Sequence, residues 1–164
     1  LRKLLDDEPQ EVDIQLSDTR AEFSVGDIRL TTKLIDGSFP DYKRVIPVGN
    51  DKIISVDVDL LSAAVDRVST IASDKSRAIK LNISAGQLVL SATNPDASSA
   101  TEMLEITYAG EPIDIGFNAR YLMDILSQVQ GEMIAIELAD SGSPSLLRDP
   151  EDDTSIFVLM PMRV

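Results

Sequence analysis

"NARYLMDILSQVQGEMIAIELAD", residues 118–140, changes periodicity partway along its length. Asn118 carries the side chain of a helix N-cap, and Tyr121, Leu122, Ile125, Leu126 and Val129 recur at helical spacing behind it. That pattern predicts a helix with those side chains inward and Gly131 ending it. Beyond the glycine, Ile134, Ile136 and Leu138 alternate with Ala135 and Glu137, the period of a strand with one buried face. A capped helix running into a half-buried strand is the unit from which the fold is read.

The unit recurs. In "LRKLLDDEPQEVDIQLSD", residues 1–18, Leu1, Leu4, Leu5 and Glu11 stand where Leu122, Ile125, Leu126 and Glu132 stand in the later copy. Val12, Ile14, Leu16 and Asp18 then match Ile134, Ile136, Leu138 and Asp140. A weaker copy lies between them. The alternation Ile54-Val56-Val58 leads to Asp59 as N-cap of a helix with Leu60, Leu61, Ala64, Val65, Val68 and Ile71 on one face. Any two helix–strand joints share some of this pattern, but recurrence at about half a domain length fits an array of β-α units. Further alternation at Ile79-Leu81-Ile83, Leu88-Leu90-Ala92 and Leu104-Ile106-Tyr108 predicts strands, with hairpin turns at Ser84-Ala85-Gly86-Gln87 and Val25-Gly26-Asp27. Many antiparallel strands and few helices make an α+β protein with helices on one sheet face.

Composition narrows the chemistry. The 164 residues are 43% hydrophobic and 26% charged, with a formal charge of -13. That balance argues against uniform wrapping around a phosphate backbone, while leaving room for a local basic surface. Cysteine and histidine are both missing from the sequence, which removes disulfides, thiolates and the commonest general base and metal ligand. No apolar run reaches the ~18 residues of a membrane span, so no membrane partner is expected. Leu1 opens the chain inside a helical pattern, which reads as a fragment of something longer.

"LIDGSFPDYKRVIPVGND", residues 34–51, interrupts the periodicity with glycine and proline, the mark of a domain junction. Phe39, Tyr42, Val45 and Ile46 make it unlike a flexible spacer, and it is expected to pack against something. Asp149, Glu151, Asp152 and Asp153 suggest a calcium loop, but Thr154 and Met160 occupy the positions where an EF-hand needs glycine and glutamate. A solvated loop is the better reading. Neither GxGxxG nor GxxxxGK[ST] occurs, and Asn82-Ile83-Ser84 is a chance glycosylation sequon. No catalytic, metal or cofactor site is expected.

The closing "SIFVLMPMRV" is more informative. Alternation predicts Ile156 and Val158 toward the core, with Phe157 and Leu159 opposite. Pro161 cannot donate to a strand ladder, so the strand ends there or lies at an edge. Met160 and Met162 then either fill core or form an adaptable recognition surface.

Together, "KLIDGSFPDYKRVIP", "GFNARYLMDIL" and "VLMPMRV" closely resemble the bacterial DNA sliding clamps, the β subunits of DNA polymerase III. The resemblance spans the whole chain. It implies the DNA-clamp (processivity) fold, antiparallel sheets outside and helices within, with residues 1–41 ending the middle domain and 42–164 forming the complete third domain. It implies a non-enzymatic, cytoplasmic processivity factor: a head-to-tail homodimeric ring around double-stranded DNA, without cofactor. Polymerase, clamp-loader and other partners would dock a short glutamine–leucine–aromatic peptide between the second and third domains. Pro40, Arg44, Val45, Val158 and Met160 correspond to the deep apolar subsite. Asn118, Tyr121, Pro161, Met162 and Arg163 correspond to the shallower one that takes the glutamine. Thr70, Ile71 and Glu102 correspond to subunit-interface positions, and Arg67 and Arg120 would face the DNA. The sequence departs from the pattern at Ser76, where a large aromatic is usual, and at Gly142, which replaces a small apolar residue and would widen the pocket. A different reading of the same residues is an acidic interaction scaffold unrelated to DNA; a carboxylate–metal enzyme is disfavoured by the missing histidine.

Overall fold

The structure, a computed structural model, describes residues 11–38, 41–72, 77–95 and 98–163. Contacts divide the chain into two units, Leu1–Pro40 and Asp41–Val164.

In the first unit, β1 (Asp13–Leu16), β2 (Arg20–Val25) and β3 (Ile28–Lys33) form a three-stranded antiparallel sheet. Gly26, at φ +54°, supplies the left-handed residue of the β2–β3 turn. Ile14 and Leu16, predicted to be buried on one face, are 57% and 73% exposed. The alternation is present, but all four residues of β1 stand exposed. The helix read at Leu1–Leu5 lies outside the described residues.

The second unit holds two copies of one arrangement. The first copy is β4 (Lys52–Asp57), α1 (Val58–Ser69), β5 (Ala78–Ser84), β6 (Gln87–Thr93) and β7 (Ser99–Glu105). The second is β8 (Ile113–Asn118), α2 (Ala119–Leu126), β9 (Met133–Leu138), β10 (Ser145–Arg148) and β11 (Phe157–Leu159). Each copy gives its first strand to the other: the sheets run β7-β6-β5-β8 and β11-β10-β9-β4. Each copy also closes on itself, through bridges Ser55–Thr107 and Gly116–Met162. The exchange interlocks the sheets, and α1 and α2 pack against each other over one shared core. Leu61, Val65, Leu81, Leu90, Ile115, Phe117, Leu122 and Ile136 are among its buried members.

Several local expectations are corrected. The α1 cap is Asp57, whose carboxylate accepts from Leu60 N–H at 2.8 Å, not Asp59. Asp59 sits in the first turn, where the helix dipole favours it, and Val58 belongs to the helix rather than to β4. Leu60 therefore points out, at 56% exposure. The strand read through Tyr108 ends at Glu105; Tyr108 instead turns its hydroxyl onto Glu111 O at 2.6 Å. Helix α2 stops at Leu126, capped by Ser127, before Gly131. Gly131 serves another purpose: its N–H donates to Asp149 Oδ2 at 2.9 Å, and a Cβ there would meet that carboxylate at 2.7 Å. Asp149, read as part of a solvated acidic loop, is buried and also accepts from Glu151 N–H at 2.9 Å. Among the described residues no cluster of carboxylates could hold a metal ion, and no helix is long and apolar enough to cross a membrane.

Candidate functional site

Asn118 is where the second copy changes from strand to helix. Its side-chain oxygen accepts from Arg120 N–H at 3.0 Å and Tyr121 N–H at 3.3 Å, fixing the first turn of α2. Tyr121 was expected inward; it stands outward at 59% exposure, while Leu122 beside it is buried. Helical spacing then puts Tyr121, Asp124 and Ile125 on one face.

The last strand faces that surface. Alternation along β11 is the reverse of the expected one: Leu159 is buried and Phe157 packs against the core, whereas Ile156 is exposed. Register explains the inversion. Phe157 pairs with Leu147 and Leu159 with Ser145, both core-side, so Val158 opposite Leu146 faces out. Beyond Leu159 the chain leaves the sheet at Pro161, and Met162 N–H donates to Gly116 O at 2.8 Å. This bond ties the tail to β8 and leaves Met160 57% exposed.

The outcome is a pocket of about 710 Å³ walled by Asn118, Tyr121, Asp124 and Ile125 from α2 and by Val158, Leu159, Met160, Pro161 and Met162 from the tail. The walls are chiefly apolar, the composition that buries a ligand's hydrocarbon while a few polar groups orient it. The structure thus gathers six expected residues, Asn118, Tyr121, Val158, Met160, Pro161 and Met162, around one concavity. Sequence reasoning missed Asp124, Ile125 and Leu159, though the spacing from Tyr121 carried the signal for the first two. Arg163 is exposed and lies outside the lining. Arg44 and Val45, on and just after the 3-10 turn Tyr42–Arg44, are exposed and also outside it; Arg44 Nε pairs with Asp41 at 3.4 Å. Tyr42 and Val48 of the same junction are exposed as well, while Ile46 is half-buried. Pro40, Phe39 and Ser76 lie outside the described residues. Gly142 is not a wall of the pocket; its N–H caps Asp140 at 2.8 Å in a turn. Together with Ser143 N–H and Oγ, that bond holds the Asp140 carboxyl below its ordinary value.

The remaining expected residues cluster around the ends of the helices. Arg67 Nε donates to Glu102 Oε2 at 3.0 Å, and its terminal nitrogen bonds the other carboxylate oxygen. This fork lowers the Glu102 pKa and raises that of Arg67. An expected DNA-facing cation is therefore already joined to an expected interface acid. Arg120 and Thr70 share a second depression of about 380 Å³ with Asp66 and Arg77. Arg77, whose φ of +46° is left-handed, offers its carbonyl to Ala119 N–H at 2.8 Å and so completes the start of α2. Ile71 is half-buried at the end of α1.

Two interlocked β-α units carrying this pocket coincide with a known family. The description "DNA polymerase III beta subunit, C-terminal domain" matches residues 43–163, and "DNA polymerase III beta subunit, central domain" matches residues 1–41. The chain belongs to the DNA polymerase III beta subunit family. It is 47% identical over 163 residues to the beta sliding clamp of Caulobacter vibrioides, covering 99% of this chain and 44% of that protein. A Bartonella birtlesii sliding clamp solved with griselimycin bound shows 50% identity and a TM-score of 0.81, covering 93% of this chain and 41% of the other. The Pseudomonas aeruginosa DNA polymerase III subunit beta gives a TM-score of 0.84 at 38% identity, over 99% of this chain and 45% of that one. The chain thus spans somewhat less than half the length of these relatives.

Proposed function

We propose that this chain is part of a DNA polymerase processivity factor, a sliding clamp that encircles duplex DNA and captures partner peptides in the pocket between α2 and the tail. The observation that carries the reading is this apolar pocket, walled by Tyr121, Val158, Met160 and Met162 and open to solvent. It suits peptides with a glutamine followed by leucines and an aromatic residue: the apolar side chains fill it and Asn118 with the tail backbone orients the amide. Polymerase and clamp-loader subunits are the partners the family membership favours. In this reading residues 1–41 end a middle domain and 42–164 make a third. Arg44, Val45 and Arg163 extend the binding surface beyond the pocket walls. Thr70, Ile71 and Glu102 serve a head-to-tail subunit contact, and Arg67 and Arg120 face DNA, with weak salt-screened contacts that permit sliding. The role is non-enzymatic and cytoplasmic.

Titration of a labelled peptide of that pattern into the full-length protein tests the pocket. Met160→Ala with Met162→Ala should weaken binding at least about tenfold, as expected for anchor-lining side chains; unchanged affinity would refute the assignment. The ring is tested by retention: the protein should stay on closed circular DNA and leave once the circle is cut.

A further inference from the structure

The pocket between α2 and the tail contains one charged wall. Among its lining residues only Asp124 carries a charge, and Asn118 already spends its side-chain oxygen on the helix cap. Among the described residues, no hydrogen bond or ion pair engages the Asp124 carboxylate; its backbone carbonyl alone is used, by Ser127 Oγ at 2.8 Å. This differs from the acids that the fold employs. Asp57 caps α1, Asp149 holds Gly131, Asp140 closes a turn, and Glu102 and Glu137 are paired with arginines. A carboxylate left unpaired beside apolar walls, one helical turn beyond Tyr121, has a field that a ligand in the pocket would feel.

We propose that Asp124 is a specificity-determining residue of this pocket, selecting ligand peptides with a lysine or arginine beside the glutamine and discriminating against those with aspartate or glutamate there. The inference rests on the peptide-binding reading given above and adds the charge preference to it. Physically it is a rim contact: the side chain is solvent-exposed, so attraction is modest and water competes for both partners. The contribution is in discrimination. An acidic side chain approaching the same place meets repulsion as well as the loss of hydration, on a protein whose formal charge is already -13. Arg163, which follows the lining residue Met162, carries the opposite charge but is outside the lining, so its removal should not erase the preference.

The test uses the full-length protein and three labelled peptides identical except for the residue before the glutamine: lysine, alanine or glutamate. At low ionic strength the lysine peptide should bind about fivefold more tightly than the glutamate peptide, a gap typical of exposed charge pairs and closing at molar salt. Asp124→Asn should collapse that ratio to within about twofold, read against the alanine peptide's affinity for the same variant. Arg163→Gln should preserve the ratio. If Asp124→Asn keeps the lysine-over-glutamate preference, or if Arg163→Gln removes it instead, Asp124 is not the selector, although the pocket still binds peptide. If none of the three peptides binds the parent protein, the peptide-binding reading itself fails, and the charge preference with it.

Discussion

The two halves of the second unit use the same backbone and end differently. Asp57 and Asn118 cap equivalent helices; Leu60 and Tyr121 then point out while Leu61 and Leu122 point in. At the α1 end the chain leaves β7 into Thr107, which exchanges two hydrogen bonds with Ser55 at 3.1 and 3.2 Å. At the α2 end Pro161, which has no N–H, follows Met160, and Met162 makes the bridge one residue later. The first exit closes through a reciprocal pair of backbone bonds. The second closes through Met162 N–H to Gly116 O, with two methionines and Tyr121 around a pocket. A duplicated fold therefore acquires an apolar pocket through a few side chains at one of two equivalent ends, without a new element.

The comparison is tested hardest in the core. Leu61→Ala and Leu122→Ala each remove a side chain that is almost fully buried, and each should cost about 2–5 kcal/mol by denaturant titration. The interlocked sheets make the halves mutually dependent, so the two losses should be similar. A loss below about 1 kcal/mol at one position would show that its half can collapse around the cavity. The caps come next. Asp57→Ala and Asn118→Ala should each cost about 1 kcal/mol. Only Asn118→Ala should also weaken peptide binding, because it loosens the turn that presents Tyr121.

How much of this was legible in the sequence follows from what each signal measures. Periodicity reports the faces of an element, so the helices, the central strands and most of the core could be read directly, as at Leu122, Leu126, Ile134 and Ile136. It failed at β11, where a three-residue strand gives too short an alternation and pairing with β10 decides which face is inward. It failed for β1 because alternation does not reveal whether a covering layer exists. Asp149 was misread because its partners, Gly131 and Glu151 N–H, are backbone groups that no side-chain pattern announces. Most pocket walls were legible from the motif resemblance. Asp124 was not, since it belongs to the helix's polar spacing and becomes conspicuous only once the tail is seen opposite it.

Met160→Ala should separate binding from folding at the α2 end. Its side chain is largely exposed, so the stability change should stay within about 0.5 kcal/mol. At the α1 end, Leu60→Ala, at the exposed position equivalent to Tyr121, should be comparably mild and leave peptide affinity alone. A large stability loss for Met160→Ala would place it in the core and erase the contrast between the two ends.

The smallest expected effect is a pH dependence at the α1 end. The fork from Arg67 lowers the Glu102 pKa below its ordinary 4.5, so the folded protein binds this proton less readily than the unfolded chain. The sign follows: the stabilisation is fully present above that ordinary value and is lost as pH falls through the lowered one. Glu102→Gln should therefore flatten part of the acid limb of stability against pH and leave the profile above about pH 6 parallel to the parent's. No equivalent acid–arginine fork forms among the described walls of the α2 pocket. If Glu102→Gln leaves the acid limb unchanged, the Arg67–Glu102 fork adds nothing to the contrast between the two ends.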